Sequence, residues 1–126
     1  MKIAIIAGVG SGLGALARIG LDSGFYALLG PHFPWGILLV NIFGSFLAGH
    51  LFFTHWIVMD PDPKQARKHF LITGFCGGFT TFSFFSLQTF LLADEGRMIA
   101  ATVYSLLTLL LCMAAVFCGS RSMRRR

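Results

Sequence analysis

Gly77-Gly78-Phe79-Thr80-Thr81-Phe82-Ser83-Phe84-Phe85 sets a glycine pair and a run of hydroxyl and aromatic residues inside an apolar segment long enough to cross a bilayer. In hydrocarbon every backbone N–H and C=O must be satisfied within the protein, so a weakened helix at that depth survives only when buried in protein or lining a wet cavity. Discontinuous membrane helices are also where ion and substrate sites are built. The stretch therefore predicts a helix broken near its middle. The glycines carry no side-chain penalty for such a break, and carbonyls exposed by it suit a small hard cation, which prefers oxygen ligands.

Working outward, the remaining chain has the same character. Of 126 residues, 56% are hydrophobic and 12% charged, where a soluble domain carries roughly a quarter charged. Stretches of about twenty apolar residues, enough to cross roughly 30 Å of hydrocarbon, fit four times: 3–21, 35–59, 70–93 and 98–118. The fold class is an all-α membrane protein, one four-helix transmembrane domain over 1–126. A soluble catalytic domain has no room in this length, and the chain reads as a non-enzyme.

The net charge of +5 flanks the spans instead of forming a basic face with aromatic platforms, so it indicates orientation and not nucleic acid. Four spans put Lys2, Lys64, Arg67, Lys68, Arg121, Arg124, Arg125 and Arg126 on one side, against Arg97, and Arg18 near the end of the first span. The positive-inside rule predicts cytoplasmic termini. Lys2 and Ala15-Leu16-Ala17 imitate a secretory signal, but the intervening Gly8, Gly10, Gly12 and Gly14 look like packing positions, and we read the segment as the first span. Cys76, Cys112 and Cys118 lack metal-ligand spacing and read as small buried hydrophobes.

Several in-span residues have two readings each. Gly8 with Gly12, and Gly10 with Gly14, are small-xxx-small pairs that admit a neighbouring backbone. Arg18, one turn on, either snorkels to the interface or faces a vestibule. Asp22, Ser23, Gly24, Gly30, Pro31 and Pro34 mark a loop, with a partial helix over Phe25 to Leu29. In the second span Asn41, Ser45 and Gly49 share one stripe; an asparagine this deep pairs its amide against protein or lines a pore. His50 and His55 are interfacial. Phe82 and Phe85 share a face of the third span, either packing ordinarily or turning positive ring edges toward an anion. Tyr104, Thr108 and Cys112 form a ladder in the fourth, where the hydroxyls either meet an anion or bond back to their own helix. None of Asp22, Asp60, Asp62, Asp94 and Glu95 falls mid-span, against the intramembrane carboxylate a proton-coupled exporter uses.

With these residues in place the chain resembles the Fluc (CrcB) family of fluoride channels: the glycine-rich first helix ending in Arg18, Val40-Asn41, Thr73-Gly74-Phe75, the run from Gly77 to Phe85, and Tyr104. The resemblance implies an antiparallel, dual-topology dimer, passive export of cytoplasmic fluoride, and location in the inner cell membrane. It implies a structural sodium ion at the dimer centre, held by main-chain oxygens of Gly77 and Thr80 from both subunits. It also implies fluoride pathways lined by Asn41, Phe82, Ser83, Phe85, Tyr104 and Thr108, with Arg18 at the vestibule. The chain departs from the family pattern at Phe84, usually threonine, and at Cys112 and Val116, usually small hydroxyl residues. Because the loop charges are unbalanced, the dimer partner is either a second copy or an oppositely oriented paralogue. The competing functions are a small four-helix secondary transporter and a pore-degenerate structural subunit of a heterodimeric channel.

Overall fold

The computed structural model describes residues 1–53 and 63–124, and among them every regular element is helical. Helix α1 is Lys2–Leu29 and α2 is Trp35–Phe52. Helix α3 begins with the α-helical Pro63–Lys68, continues as a π-helical stretch, His69–Cys76, and ends in a last turn, Gly77–Phe79. Helix α4 is Phe82–Asp94 and α5 is Met98–Arg124. Four stretches are long and apolar enough to cross a membrane: Lys2–Leu29, Trp35–Phe52, the bent unit Ala66–Asp94 that joins α3 to α4, and Met98–Ser122. The expected His55 and the Asp60-Pro61-Asp62 turn lie outside the described residues.

Helix α1 is longer than the first expected span. Asp22, Ser23 and Gly24, read as loop, continue the helix; its stop comes at Gly30, which has φ +80 and donates its N–H to the Tyr26 carbonyl. A single glycine in a helix weakens it by only about 1 kcal/mol, whereas positive φ followed by Pro31 ends it. Helix α2 then starts at Trp35, just behind Pro34. Its first turn lies against α1, because a Cβ on Gly36 would stand 2.9 Å from the Asp22 Cα.

Burial separates the two faces of α1. Ile5, Val9, Leu13, Leu16 and Ile19 are exposed along one side, the apolar exterior that lipid requires. Gly10 and Gly14 are buried on the other. A Cβ at Gly14 would run into the Phe75 carbonyl and lie 2.8 Å from the Phe79 amide; one at Gly10 would meet the Phe70 carbonyl, and one at Gly78 the carbonyl of Ser11. The Gly8 and Gly12 positions meet nothing within 4 Å, so of the two overlapping pairs only Gly10 with Gly14 makes the α1–α3 seam. Helices α2 and α5 cross as closely at their far ends, where Gly49 faces the Val116 backbone and Gly119 the Phe46 carbonyl. His50 Nδ1 and Ser122 Oγ are 2.8 Å apart at that end.

The apolar core joins Ile37 and Leu38 of α2 to Phe85 and Leu92 of α4 and to Ala101 and Tyr104 of α5. It holds α4 against the α2–α5 pair, while α3 is held by α1. The junction between α3 and α4 therefore lies where the two packing units meet.

Candidate functional site

Thr80 and Thr81 take extended conformations, with ψ 156 and ψ 123, between the last turn of α3 and the first of α4. The sequence reading put the weak point at Gly77-Gly78, but Gly77 is itself αR and Gly78 serves the approach to Ser11. The departure from helical geometry falls three residues later, at the threonines.

An asparagine from another helix compensates for it. Asn41 Nδ2 donates to the Thr81 carbonyl at 3.0 Å, and the Thr81 amide donates to Asn41 Oδ1 at 2.8 Å. The side-chain amide thus pairs with both the N–H and the C=O of one residue, as a residue on a neighbouring strand would, and both groups are buried. This accounts for an asparagine at that depth: a buried donor and acceptor left unpaired would each cost about 1–3 kcal/mol. Thr81 in turn caps α4, its Oγ1 accepting from the Phe84 amide at 3.2 Å and lying 3.1 Å from Ser83 Oγ, which supplies a partner for one of the first amides of a helix.

The clamp has a consequence for two carbonyls. In an unbroken helix the Gly77 carbonyl accepts from the Thr81 amide, and the Thr80 carbonyl from the Phe84 amide. Here those amides go to Asn41 Oδ1 and Thr81 Oγ1 instead. Thr80 Oγ1 donates to the Cys76 carbonyl at 2.9 Å, which the Thr80 amide also meets. The Gly77 and Thr80 carbonyls therefore lose these helical partners on a strip of chain that is exposed at Gly77 and half-buried at Thr80.

A cavity of about 500 Å³ opens on this strip. It brings together Asn41, Gly77, Thr80, Phe82, Phe85 and Thr108, with Thr81, Ser45, Cys112 and Val116 among the other wall residues. The Phe82 and Phe85 ring centroids are 5.5 Å apart at 46°. Phe85 is buried and rests on Tyr104, again at 5.5 Å, whereas Phe82 is 76% exposed. Ser45, Cys112, Met113 and Val116 also wall a second cavity of about 480 Å³ reaching Phe53 and Ser120, so the groove runs on toward the His50–Ser122 end.

Three expected site residues stand off the cavity wall. Tyr104 is fully buried behind Phe85, edge-on to Phe33 at 5.5 Å, and its hydroxyl has no hydrogen-bond partner among the described residues. Ser83 faces outward and is engaged with Thr81. Arg18 lies over the Phe84 ring, 5.2 Å from its centroid. Thr108 is on the wall, and its hydroxyl donates to its own helix at the Tyr104 carbonyl, 2.7 Å away. Thr81 was missing from the expected set, although a threonine directly before an apolar helical run is a readable N-cap signal.

The sequence model of the CrcB family, described as CrcB-like protein, Camphor Resistance, matches residues 5–120. This chain belongs to the CrcB family. Among curated CrcB relatives, a fluoride-specific ion channel FluC of Nitrobacter hamburgensis is 43% identical, covering 98% of each chain, and one of Nitrobacter winogradskyi is 41% identical with the same coverage. A relative of the same description from Magnetococcus marinus is 42% identical over 94% of each chain. As a CrcB member with four membrane-length helical stretches the chain is a multi-pass membrane protein. The deviation at Thr80–Thr81 lies well inside the third of these stretches.

Proposed function

We propose that this protein is a passive, fluoride-selective channel of the inner cell membrane that lowers cytoplasmic fluoride, and that it performs no catalysis. The observation that carries the reading is the Asn41–Thr81 clamp, which holds polar backbone and two phenylalanine rings open on one cavity inside an apolar span. Fluoride is small and tightly hydrated, so a selective path must replace its water with closely spaced donors and still let it leave. The Asn41 amide is the candidate donor on the cavity wall, and the hydroxyls of Ser83, Thr108 and Tyr104 would serve an anion only by turning from the positions they hold here. Phe82 and Phe85, both on the cavity wall, would stabilise an anion through the positive edges of their rings. Arg18 adds positive potential at the vestibule without a fixed cation inside the path. The fluoride-specific channels to which the chain is similar agree with this substrate.

The same geometry supports a break in the third helix that works in a dimer. Gly77 and Thr80 expose main-chain oxygens near the middle of a membrane-length segment, where lipid cannot satisfy them. A second chain, oriented antiparallel, would cover this face and Phe82. Two carbonyls from each chain form an all-oxygen set suited to a structural sodium ion, whose charge would add positive potential at the dimer centre. If so, dilution of sodium to trace levels in an organic-cation buffer lowers dimer thermal stability, and potassium does not restore it; unchanged stability removes the sodium assignment.

By the positive-inside rule the basic residues favour cytoplasmic termini. That bias supports one insertion direction, and hence an oppositely oriented paralogue as an alternative to a second copy. In the heterodimer reading this chain is a structural subunit that leaves the pathway to its partner. Phe82→Ile separates these roles: it keeps the volume apolar but removes the ring edge. A channel loses fluoride flux by roughly tenfold or more, with its dimer intact on size exclusion, if the ring supplies 1.4 kcal/mol or more to the transiting anion. A secondary transporter or a structural subunit tolerates the change.

A further inference from the structure

Three sulfur-bearing residues border the cavity at the α3–α4 junction. Ile72, Cys76 and Thr80 recur every four residues along α3, Thr108, Cys112 and Val116 do so along α5, and all six line that cavity. Residues so spaced share one side of a helix, so Cys76 and Cys112 belong to two stripes on the walls of one space. Met113, next to Cys112 and 71% exposed, lines it as well. Helix α2 packs against both α3 and α5, and its Ser45 lies beside the Cys112 thiol. Cys112, Met113 and Ser45 also border the second cavity, which puts this thiol where the two spaces meet.

Neither cysteine is in a disulfide. A disulfide holds its sulfurs about 2.05 Å apart, whereas an ion bonded to two sulfurs at about 2.3 Å each separates them by up to about 4.6 Å. Thiols on different helices around a cavity suit the longer bridge. The identity of the ion follows from its ligands. No His, Asp or Glu lines this cavity among the described residues, and thiolate with thioether selects soft ions over hard ones.

We infer that Cys76 and Cys112, with Met113 as a third sulfur, form a site for one soft monovalent cation of the copper(I) and silver(I) class, and that filling it closes the pathway. The closure rests on the channel reading above; the binding does not. Each thiol passes its proton to water as its metal–sulfur bond forms. Two thiols and one monovalent cation thus give a singly negative complex and two released protons, and nothing is oxidised. That charge lies on the wall shared by Asn41, Phe82 and Phe85, where it repels a second anion, and the bridge itself ties α3 to α5 across the cavity. Cysteine also serves as plain apolar filler; Cys118, which is exposed and lines neither cavity, supplies the contrast.

The test uses silver nitrate on Cys118→Ser protein, and on the same protein carrying Cys112→Ser or Cys76→Ala, all in nitrate buffers free of chloride. In detergent, the Cys118→Ser protein retains about one silver ion per chain through gel filtration, measured by elemental analysis, and each further variant retains almost none. In liposomes, low micromolar silver slows fluoride efflux through Cys118→Ser by roughly tenfold or more, and excess dithiothreitol restores it. Each further variant stays within about twofold of its own silver-free rate. Silver retained as well by either further variant, or by none of the three proteins, overturns the site. Silver retained as expected without slowing efflux overturns the closure. Protein that passes no fluoride before silver is added overturns the channel reading, and the retained silver still decides the site.

Discussion

Asn41→Asp is expected to cut fluoride flux by roughly a hundredfold or more while the protein still purifies as a folded, helical species. The aspartate is nearly isosteric and its carboxylate still accepts from the Thr81 amide. It has no N–H to give the Thr81 carbonyl, so one half of the clamp is replaced by facing oxygens. It also puts a negative charge on the cavity wall. Two unit charges about 4 Å apart repel by about 4 kcal/mol at an effective dielectric constant of 20, nearly three decades of occupancy for an anion. Asn41→Leu differs in kind. It leaves both main-chain groups of Thr81 unpaired in a buried place, and lowers stability by on the order of 3 kcal/mol, seen as a lower melting temperature in detergent. Asn41→Asp conducting at the wild-type rate would remove the clamp from the pathway.

The second large effect concerns the seam that holds α3 in place. Gly14→Val prevents assembly, because the added Cβ points into the backbone of Phe75 and Phe79 and has no flexible side chain to displace. Overpacking of this kind costs about 1–3 kcal/mol and sometimes more, and it bears on the helix that presents Gly77 and Thr80. Gly12→Val, two residues away and open for 4 Å, leaves yield and thermal stability within experimental scatter. A fluorescence size-exclusion profile of the two variants reads the contrast directly. Equal tolerance of both would show that α1 does not pack through Gly14.

The pair of glycine variants also marks what the sequence could and could not say. The four spans were legible from composition and length, because hydrocarbon imposes one requirement on all of them. Which of two interleaved glycine pairs touches α3 was not, since Gly8, Gly10, Gly12 and Gly14 differ only in the direction they face. The wide turn of His69–Cys76 has no side-chain signature. Asn41 was identifiable as a buried amide in need of a partner, but Thr81, forty residues away, was not identifiable as that partner. Tyr104 shows the opposite limit: helical spacing put it in line with Thr108, and packing against Phe33 and Phe85 set its ring behind the wall. Helical spacing locates a residue on its own helix, and the neighbouring helix decides whether it faces a cavity.

The function proposed here is most directly tested by fluoride efflux from liposomes containing this purified chain alone, followed with a fluoride electrode and run in parallel with chloride. The account predicts rapid efflux of fluoride with chloride retained. Equal passage of both anions, or no fluoride efflux from protein that elutes as a folded dimer, would contradict a self-sufficient fluoride channel; the second result would assign the pathway to a partner chain.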